Sequence, residues 1–191
     1  MKKLLAVYGS PRKGGNSSVL LDYFLEGTKA SIYPVERVYL RDINFSFCVE
    51  CGRCEKTGIC SLDDDLKTIY KKIRHYERIV ISCPVFFLGP PALTKAFIDR
   101  LQVFWVRKHM LGINPVPEGV QKKGFLLSVC GFKGHEKMFS CNRSIVKAVY
   151  TACGYSYTGE LFYHGIDRFG DIKKRSDIRA EAVRAGRDFV S

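Results

Sequence analysis

The stretch KLLAVYGSPRKGGNSSVLLDYFLEGTKA, residues 3–30, decides the fold. Its first part is a short apolar run that is typical of a buried strand, and a glycine-rich turn follows it at once. Asn16, Ser17 and Ser18 then offer helix N-caps before leucine and phenylalanine recur at helical spacing in residues 20–25. The stretch therefore predicts a strand that runs through a glycine-rich turn into a helix.

The rest of the chain repeats this alternation of strand and helix. Four more apolar runs predict strands, at residues 35–40, 78–85, 124–131 and 155–165. Helices are predicted at residues 92–106, 137–152 and 171–189, and Asp63 to Asp65 are well placed to cap another helix that runs to about His75. Strict alternation indicates a parallel sheet with helices on both faces, so we expect an α/β, flavodoxin-like, doubly wound five-stranded sheet. We expect one domain over residues 1–191, with a cysteine-rich loop inserted at about 44–62.

Composition narrows the class of function. The 191 residues are 46% apolar and 26% charged, as in globular proteins, and the net charge is +12. Because the basic residues are scattered and do not interleave with aromatic residues, we expect a solvated basic surface rather than a nucleic-acid site. The N-terminal apolar run is too short for a signal peptide, and no stretch is long enough to cross a membrane. We therefore expect a cytoplasmic protein whose cysteines are reduced thiols or metal ligands.

The loop GSPRKGGNSS, residues 9–18, is a candidate anion site. In doubly wound sheets ligands bind beyond the carboxyl ends of the strands, which selects the loops after the first, third and fourth strands. The loop has neither the glycine spacing of a dinucleotide fingerprint nor a Gly-Lys-Ser/Thr ending. It does combine glycines, hydroxyls, an amide and an arginine with the start of a helix, which together can hold a phosphate. The alternative is an ordinary strand-to-helix turn with polar surface residues.

The loop PVFFLGPP, residues 84–91, is apolar where a loop should be polar. A rigid apolar loop at a ligand edge suits the face of a flat ring, with backbone groups left to contact the polar rim of that ring. The alternative is that Phe86 and Phe87 belong to the core, and from the pattern alone we expect this of one of the two.

Together, GSPRKGGNS and CPVFFLGPPALTKAFIDR resemble the NADPH-dependent FMN reductases of the flavodoxin-like superfamily, from Lys3 to about Gly165. The resemblance implies FMN as cofactor, NAD(P)H as a substrate, and a homodimer or homotetramer. Members of that family usually have Tyr where this chain has Phe86, so one hydroxyl contact is missing. The implied contacts are Ser10, Arg12, Asn16, Ser17 and Ser18 for the phosphate, Pro84, Val85, Phe86, Phe87, Leu88 and Gly89 along the isoalloxazine and ribityl, and Cys130 and Gly131 across the ring.

Cys48, Cys51, Cys54 and Cys60 stand in the compact spacing C-x2-C-x2-C-x5-C. Structural zinc sites usually join two distant C-x-x-C pairs, whereas this run resembles one that wraps a cubane cluster. In this fold, the spacing resembles that of the iron–sulfur flavoproteins and implies a 4Fe–4S cluster on these four thiolates. The alternatives are a labile disulfide or a redox thiol pair, because many cluster-free relatives keep a similar pattern.

The remaining candidate residues are expected to have structural or surface roles. Cys83, Cys130, Cys141 and Cys153 are expected to be small buried apolar residues. The histidines show no catalytic arrangement, and His135, in the predicted flavin loop, is the one to test. Asp99 and Arg100, at a helix end, are expected to form a surface ion pair or an interface.

The sequence thus predicts an FMN-dependent oxidoreductase whose 4Fe–4S cluster couples a one-electron donor to two-electron chemistry at FMN, with no catalytic side chain. A ferredoxin or another acidic carrier would suit the basic surface as donor, and a small molecule would be the acceptor. The first alternative is a cluster-free NAD(P)H-dependent FMN or quinone reductase. The second is a zinc-containing basic binding module without enzymatic activity.

Overall fold

The computed structural model describes residues 1–134 and 136–191, so the interpretation of His135 lies outside the described residues. Five strands form one all-parallel sheet in the order β2-β1-β3-β4-β5, which confirms the flavodoxin-like α/β fold. The strands are β1 Leu4–Tyr8, β2 Val35–Tyr39, β3 Arg78–Pro84, β4 Lys123–Cys130 and β5 Ser156–His164. The helices are α1 Asn16–Gly27, α2 Arg53–Thr57, α3 Leu66–His75, α4 Ala92–Arg100, α5 Gln102–His109, α6 Ser140–Cys153 and α7 Ser176–Val190.

The core has two halves, one on each face of the sheet. Side chains alternate along β1, so that Leu5 and Val7 face α3, α4 and α6, whereas Leu4 and Ala6 face α1 and α7. Strands β1, β3 and β4 are almost wholly buried, as parallel strands covered on both faces should be. No helix in the described part of the chain is long and apolar enough to span a bilayer.

Three predicted helices differ from the structure at their ends. The helix expected over 92–106 is broken at Leu101, because the carbonyl of Arg100 accepts a hydrogen bond from the Tyr70 hydroxyl, at 3.1 Å, and Phe104 N–H turns to Leu101 instead. The helix expected from residue 137 begins at Ser140 after a 3-10 turn at Glu136–Phe139. The C-terminal helix begins at Ser176 after a second 3-10 turn, at Asp171–Lys174.

Candidate functional site

Gly9 fixes the loop that follows β1. Its N–H donates to Ser82 O on β3 at 2.7 Å, and its carbonyl accepts the Thr94 hydroxyl of α4 at 2.7 Å. A Cβ on Gly9 would stand 2.4 Å from Thr94 Oγ1 and 3.0 Å from Ser82 O, so no side chain fits between the two elements. The loop is therefore anchored to the sheet and to α4 through the backbone at one residue.

Beyond Gly9 the loop turns into the N-terminus of α1. Ser10 Oγ accepts Arg12 N–H at 3.1 Å, which tightens the turn. Among the described residues no side chain caps α1, so the N–H groups of its first turn can face an anion. Ser10, Ser17 and Ser18 are buried, whereas Arg12 is exposed. The backbone and the hydroxyls here have the chemistry of a phosphate cradle.

Asn16 has a different use in this structure. Its Nδ2 donates to Arg168 O at 2.9 Å, and its Oδ1 accepts Ile172 N–H at 3.4 Å. Both polar atoms of the side chain therefore hold the segment before α7. Its contact with the FMN phosphate stays a prediction, and the structure gives the side chain a bracing role beside the loop.

The aromatic turn after β3 is tight and strained. Phe86 and Gly89 exchange backbone hydrogen bonds of 2.8 and 3.0 Å, and Phe87 and Leu88 between them have positive φ, 48° and 65°. Such conformations cost side-chain-bearing residues on the order of 1 kcal/mol each and cluster at ligand sites. Phe86 is 51% exposed and Phe87 fully exposed, so the expectation that one of the pair belongs to the core is wrong.

The third loop, after β4, lies at the same edge. Cys130 is buried at the strand end and its carbonyl accepts Ile166 N–H at 3.0 Å; Gly131 stands so close to Asp167 that a Cβ would meet its Oδ1 at 2.5 Å. Phe132 and Phe169, which the sequence interpretation missed, are 70% and 59% exposed. Both lie in short glycine-containing segments, GFKG and RFG. A large aromatic residue in such a segment is the sequence signal that could have identified them as candidate site residues. Exposed aromatic side chains around an anion loop suit a flat, phosphorylated ligand.

The four cysteines of the compact motif line one cavity of about 610 Å³. Cys48 and Cys51 are exposed, while Cys54 and Cys60 are half-buried against the core. The opposite walls come from α4, α5 and α6, with Lys95, Ile98, Trp105, Ile145 and Val149 among the lining residues.

Side chains from the start of α3 hold the cysteine loop. Asp65 makes no capping bond, contrary to expectation; its carboxylate instead accepts Asn44 N–H at 2.7 Å. Asp64 accepts Ser46 N–H at 3.4 Å and Leu66 N–H at 3.2 Å, so it spans the loop and the helix. Two of the three consecutive carboxylates, Asp64 and Asp65, therefore tie the loop to the start of α3, whereas Asp63 is exposed and pairs with Lys67.

Arg100 is buried, which corrects its interpretation as a surface residue. Its guanidinium donates to both oxygens of Asp64, at 2.6 and 3.1 Å, and to Ser46 O at 2.7 Å. Burial alone would lower the pKa of Arg100, but the Asp64 carboxylate, with Tyr70 and Cys60, raises it overall. Burial alone would raise the pKa of Asp64, but the hydrogen bond and charge of Arg100 keep it below its ordinary value. Asp99 does form a surface pair, with Lys95 at 2.7 Å.

Two observations describe the thiols themselves. The hydrogen bond with Ser61, at 3.5 Å, lowers the pKa of Cys51. Burial raises the pKa of Cys54, and the charges of Cys60, Cys48 and Cys51 raise it further, so Cys54 lies close to the other three sulfurs. All eight cysteines are free, and no three Cys, His or acidic residues of the described part of the chain surround a single ion point.

Thiolates are ligands for a zinc ion as well as for an iron–sulfur cluster, and the two differ in the geometry that they require. A single tetrahedral ion needs every sulfur about 2.3 Å from one point. A cubane gives each thiolate its own iron and so accepts sulfurs that are spread around a larger cavity. Arg100 also lines this cavity, and its Nε is buried without a hydrogen-bond partner, which leaves a donor for a sulfur acceptor.

Helix α4 lies between the two sites. Thr94 contacts the loop after β1, whereas Lys95, Ile98 and Asp99 line the cysteine cavity. None of the cavity-lining residues belongs to the predicted FMN set. Both sites thus share a helix but no described side chain.

The remaining cysteines differ in exposure. Burial raises the pKa of Cys83 and of Cys153 to about 12, as suits inert core thiols. The expectation that all four are buried is wrong for Cys141, which is exposed near the start of α6, with its Sγ 3.7 Å from the point a Cβ on Gly89 would occupy.

Comparison with known proteins agrees with this geometry. Residues 2–137 match the model of the family described as NADPH-dependent FMN reductase. An iron–sulfur flavoprotein of Methanosarcina thermophila is 34% identical over 137 residues, 71% of this chain and 68% of that protein. One from Archaeoglobus fulgidus is 32% identical over 110 residues, 58% of this chain and 50% of that protein. The chain therefore spans about half to two thirds of these relatives.

Solved structures share the fold. The azoreductase of Bacillus anthracis str. Sterne superposes with a TM-score of 0.68 at 19% identity, over 99% of this chain and 100% of that one. The NAD(P)H:quinone oxidoreductase of Methanothermobacter marburgensis gives 0.65 at 17% identity, over 98% and 97%. At these identities the likeness concerns the fold alone.

Proposed function

The chain belongs to the NADPH-dependent FMN reductase family, within its iron–sulfur flavoproteins, and from that premise we propose that its cysteine cavity holds a 4Fe–4S cluster that works with FMN. It is a flavin-dependent oxidoreductase, and the proposal concerns the route of its electrons. A one-electron donor would deliver electrons at the cysteine cavity, and a two-electron exchange would take place at the flavin edge.

The observation that carries the proposal is the cysteine cavity. Four thiols line it, no three ligand side chains of the described residues surround a single ion point, and a buried arginine whose Nε has no described hydrogen-bond partner lines it too. This donor set suits a cubane, whose thiolates and sulfides accept hydrogen bonds. Cys48, Cys51, Cys54 and Cys60 would be the ligands.

The loops after β1, β3 and β4 would hold FMN. The uncapped start of α1, with Ser10, Ser17 and Ser18, would bind the phosphate, and the turn Phe86–Gly89 would lie against the ring. When bound, FMN exchanges electrons in pairs as hydride or singly, and the cubane exchanges them singly. The side chains would bind and orient FMN and exclude water from it, and none is needed as an acid or a base.

Partners follow from charge and chemistry. With a net charge of +12, the chain suits a ferredoxin or another acidic carrier as its one-electron donor. NAD(P)H as a substrate, a small-molecule acceptor, a homodimer or homotetramer and a cytoplasmic location with reduced thiols complete the proposal.

The alternative is a cluster-free NAD(P)H-dependent FMN or quinone reductase. It is favoured by the structural neighbours named as an azoreductase and a quinone oxidoreductase. In that case Cys48→Ser would leave steady-state NAD(P)H oxidation with a quinone unchanged.

The deciding experiment is anaerobic purification with a visible spectrum and FMN, iron, sulfide and zinc analysis of one sample. We expect flavin bands over a broad cluster absorption, with iron and sulfide each near about four per chain. FMN without iron or sulfide, even after anaerobic reconstitution, would establish the cluster-free reductase. Zinc without FMN would overturn both and favour the binding module.

A further inference from the structure

Arg100 is the one buried cation in the wall of the cysteine cavity, as far as the described residues go. Its side chain has no exposed surface, and that of Asp64 is 10% exposed. The other cation of the cavity wall, Lys95, is 46% exposed and paired with Asp99 on the surface. A buried charge is screened much less than an exposed one, so Arg100 acts on the cavity far more strongly than Lys95 does.

The hydrogen bonds of Arg100 leave one of its three nitrogens without a partner among the described residues. Nη1 and Nη2 are used by Asp64 and Ser46, while Nε is buried and has no partner. Buried donors without acceptors are rare and costly, so the free Nε–H calls for an explanation. Cys60 lies close enough to contribute to the raised pKa of Arg100 and of the neighbouring Tyr70. The Tyr70 hydroxyl donates to Arg100 O.

We propose that Arg100 is a positioning residue for the cluster: its Nε–H donates to a sulfur beside Cys60, and its buried positive charge favours the reduced state of the cluster. Asp64 opposes that charge and holds the guanidinium in place. This inference rests on the proposed function, since it needs a cluster in the cavity. Reduction adds one electron from a one-electron donor to the cluster, breaks no bond and needs no proton, so a fixed cation nearby raises the reduction potential.

The test compares cluster reduction potentials in reconstituted, FMN-containing proteins. Each protein is titrated with dithionite and the reduced cluster is followed by electron paramagnetic resonance. In Arg100→Gln we expect the reduced-to-oxidised ratio at the wild-type midpoint to fall about tenfold, which is about 59 mV for a one-electron couple. Arg100→Lys keeps the charge but loses the Nε–H, so its ratio should fall less while its resonance lines shift.

The charge partner gives an effect of opposite sign. Asp64→Asn leaves the Arg100 charge uncompensated, so the ratio should rise. The double variant Arg100→Gln with Asp64→Asn should lie between the two single variants. Lys95→Gln, the matched exposed cation, should change the ratio by less than about twofold, because solvent screens it.

Several results would overturn the inference. An unchanged midpoint in both Arg100→Gln and Arg100→Lys, with only cluster content or thermal stability reduced, would leave Arg100 a purely structural residue. Equal shifts in Lys95→Gln and Arg100→Gln would make the effect one of net charge alone. If Arg100→Gln does not fold, the test rests on Arg100→Lys and Asp64→Asn. Wild-type midpoint potentials in both variants would then reject the role of Arg100. A wild-type chain that takes up no iron or sulfide would overturn the proposed function itself, and this inference with it.

Discussion

The loop after β1 and the loop after β2 are held in place by different interactions. The backbone of Gly9 fixes the first loop, since its N–H donates to Ser82 O on β3 and its carbonyl accepts the Thr94 hydroxyl of α4. Side-chain charges fix the second, where Asp64 and Asp65 bind its backbone and Arg100 closes the group from α4. The loop after β1 is thus built into the sheet, whereas the cysteine loop is held by a few ionised groups.

The difference teaches that the two sites can be damaged separately. A backbone anchor tolerates most side-chain changes but no added Cβ at its contact point. An anchor made of buried charges tolerates shape changes but responds to protonation and to loss of a partner. Four predictions test this contrast.

The largest effect is expected for Cys54→Ser, because Cys54 is half-buried in the middle of the motif. Iron and sulfide should be lost completely while FMN content stays at the wild-type level. The measurement is elemental and flavin analysis of the anaerobic protein. Cys141→Ser, an exposed cysteine outside the cavity, is the control and should retain the cluster. Loss of FMN along with iron in Cys54→Ser would show that the sites are not separable.

Gly9→Ala should have the reverse effect, with FMN binding weakened and iron retained. The new Cβ would meet Thr94 Oγ1 at 2.4 Å and Ser82 O at 3.0 Å, and forcing these elements apart should cost about 1–3 kcal/mol. Urea unfolding measures the cost, and fluorescence titration should show weakened FMN binding while the folded protein keeps its iron. Gly134→Ala, whose nearest neighbour would lie at 3.5 Å, should leave stability unchanged. Wild-type FMN affinity in Gly9→Ala would show that the Gly9 contacts do not hold the loop in the shape that FMN binding needs.

Acid should weaken the cysteine-loop attachment through Asp64. Arg100 keeps the pKa of Asp64 below its ordinary value of 3.8, so its stabilising effect is full above that pH and is lost as the pH falls toward the lower folded pKa. Within that window one extra proton bound by the unfolded chain gives a slope of about 1.4 kcal/mol per pH unit.

Urea unfolding of the metal-free protein, followed by Trp105 fluorescence from about pH 2 to about pH 5, measures this slope, because the stabilising effect of Asp64 is lost below its ordinary pKa of 3.8. Asp64→Asn should flatten it. Asp99→Asn, which removes an exposed carboxylate paired with Lys95, is the control and should keep it. An unchanged slope in Asp64→Asn would mean that other carboxylates dominate the acid response.

The smallest effect concerns strain at the flavin edge. Phe87 has φ 48° and a fully exposed side chain, so Phe87→Gly should relieve strain and stabilise the protein by about 1 kcal/mol. The same change removes an aromatic face and should weaken FMN binding. Thermal unfolding and flavin titration measure the two effects. Leu88→Gly, at φ 65°, should stabilise similarly with a smaller loss of FMN; destabilisation in both would show that the turn is unstrained.

Local patterns were enough to predict the fold and the positions of both loops. The strand, glycine turn and helix at residues 3–30 and the cysteine spacing are short-range signals, and parallel topology brings the loops to known edges. The burial of Arg100 is a long-range fact, since its partner Asp64 lies 36 residues away, whereas the acidic residue beside it in the sequence, Asp99, pairs with Lys95 instead.

Other details depend on contacts that no local pattern encodes. The break at Leu101 follows from a hydroxyl on α3, and the positive φ of Phe87 and Leu88 contradicts the preference of those residue types. Asn16 carries the signature of a helix cap, yet its amide binds a segment that lies 152 residues further along the chain.

Helix α4 has one more consequence. Thr94 and Arg100 lie six residues apart, about 9 Å along a single rigid rod, with one site at each. Any displacement of α4 that favours a ligand at Thr94 also changes the position of Arg100. By thermodynamic linkage, the free energy by which flavin occupancy alters affinity at the cysteine cavity must equal that by which cavity occupancy alters affinity for flavin.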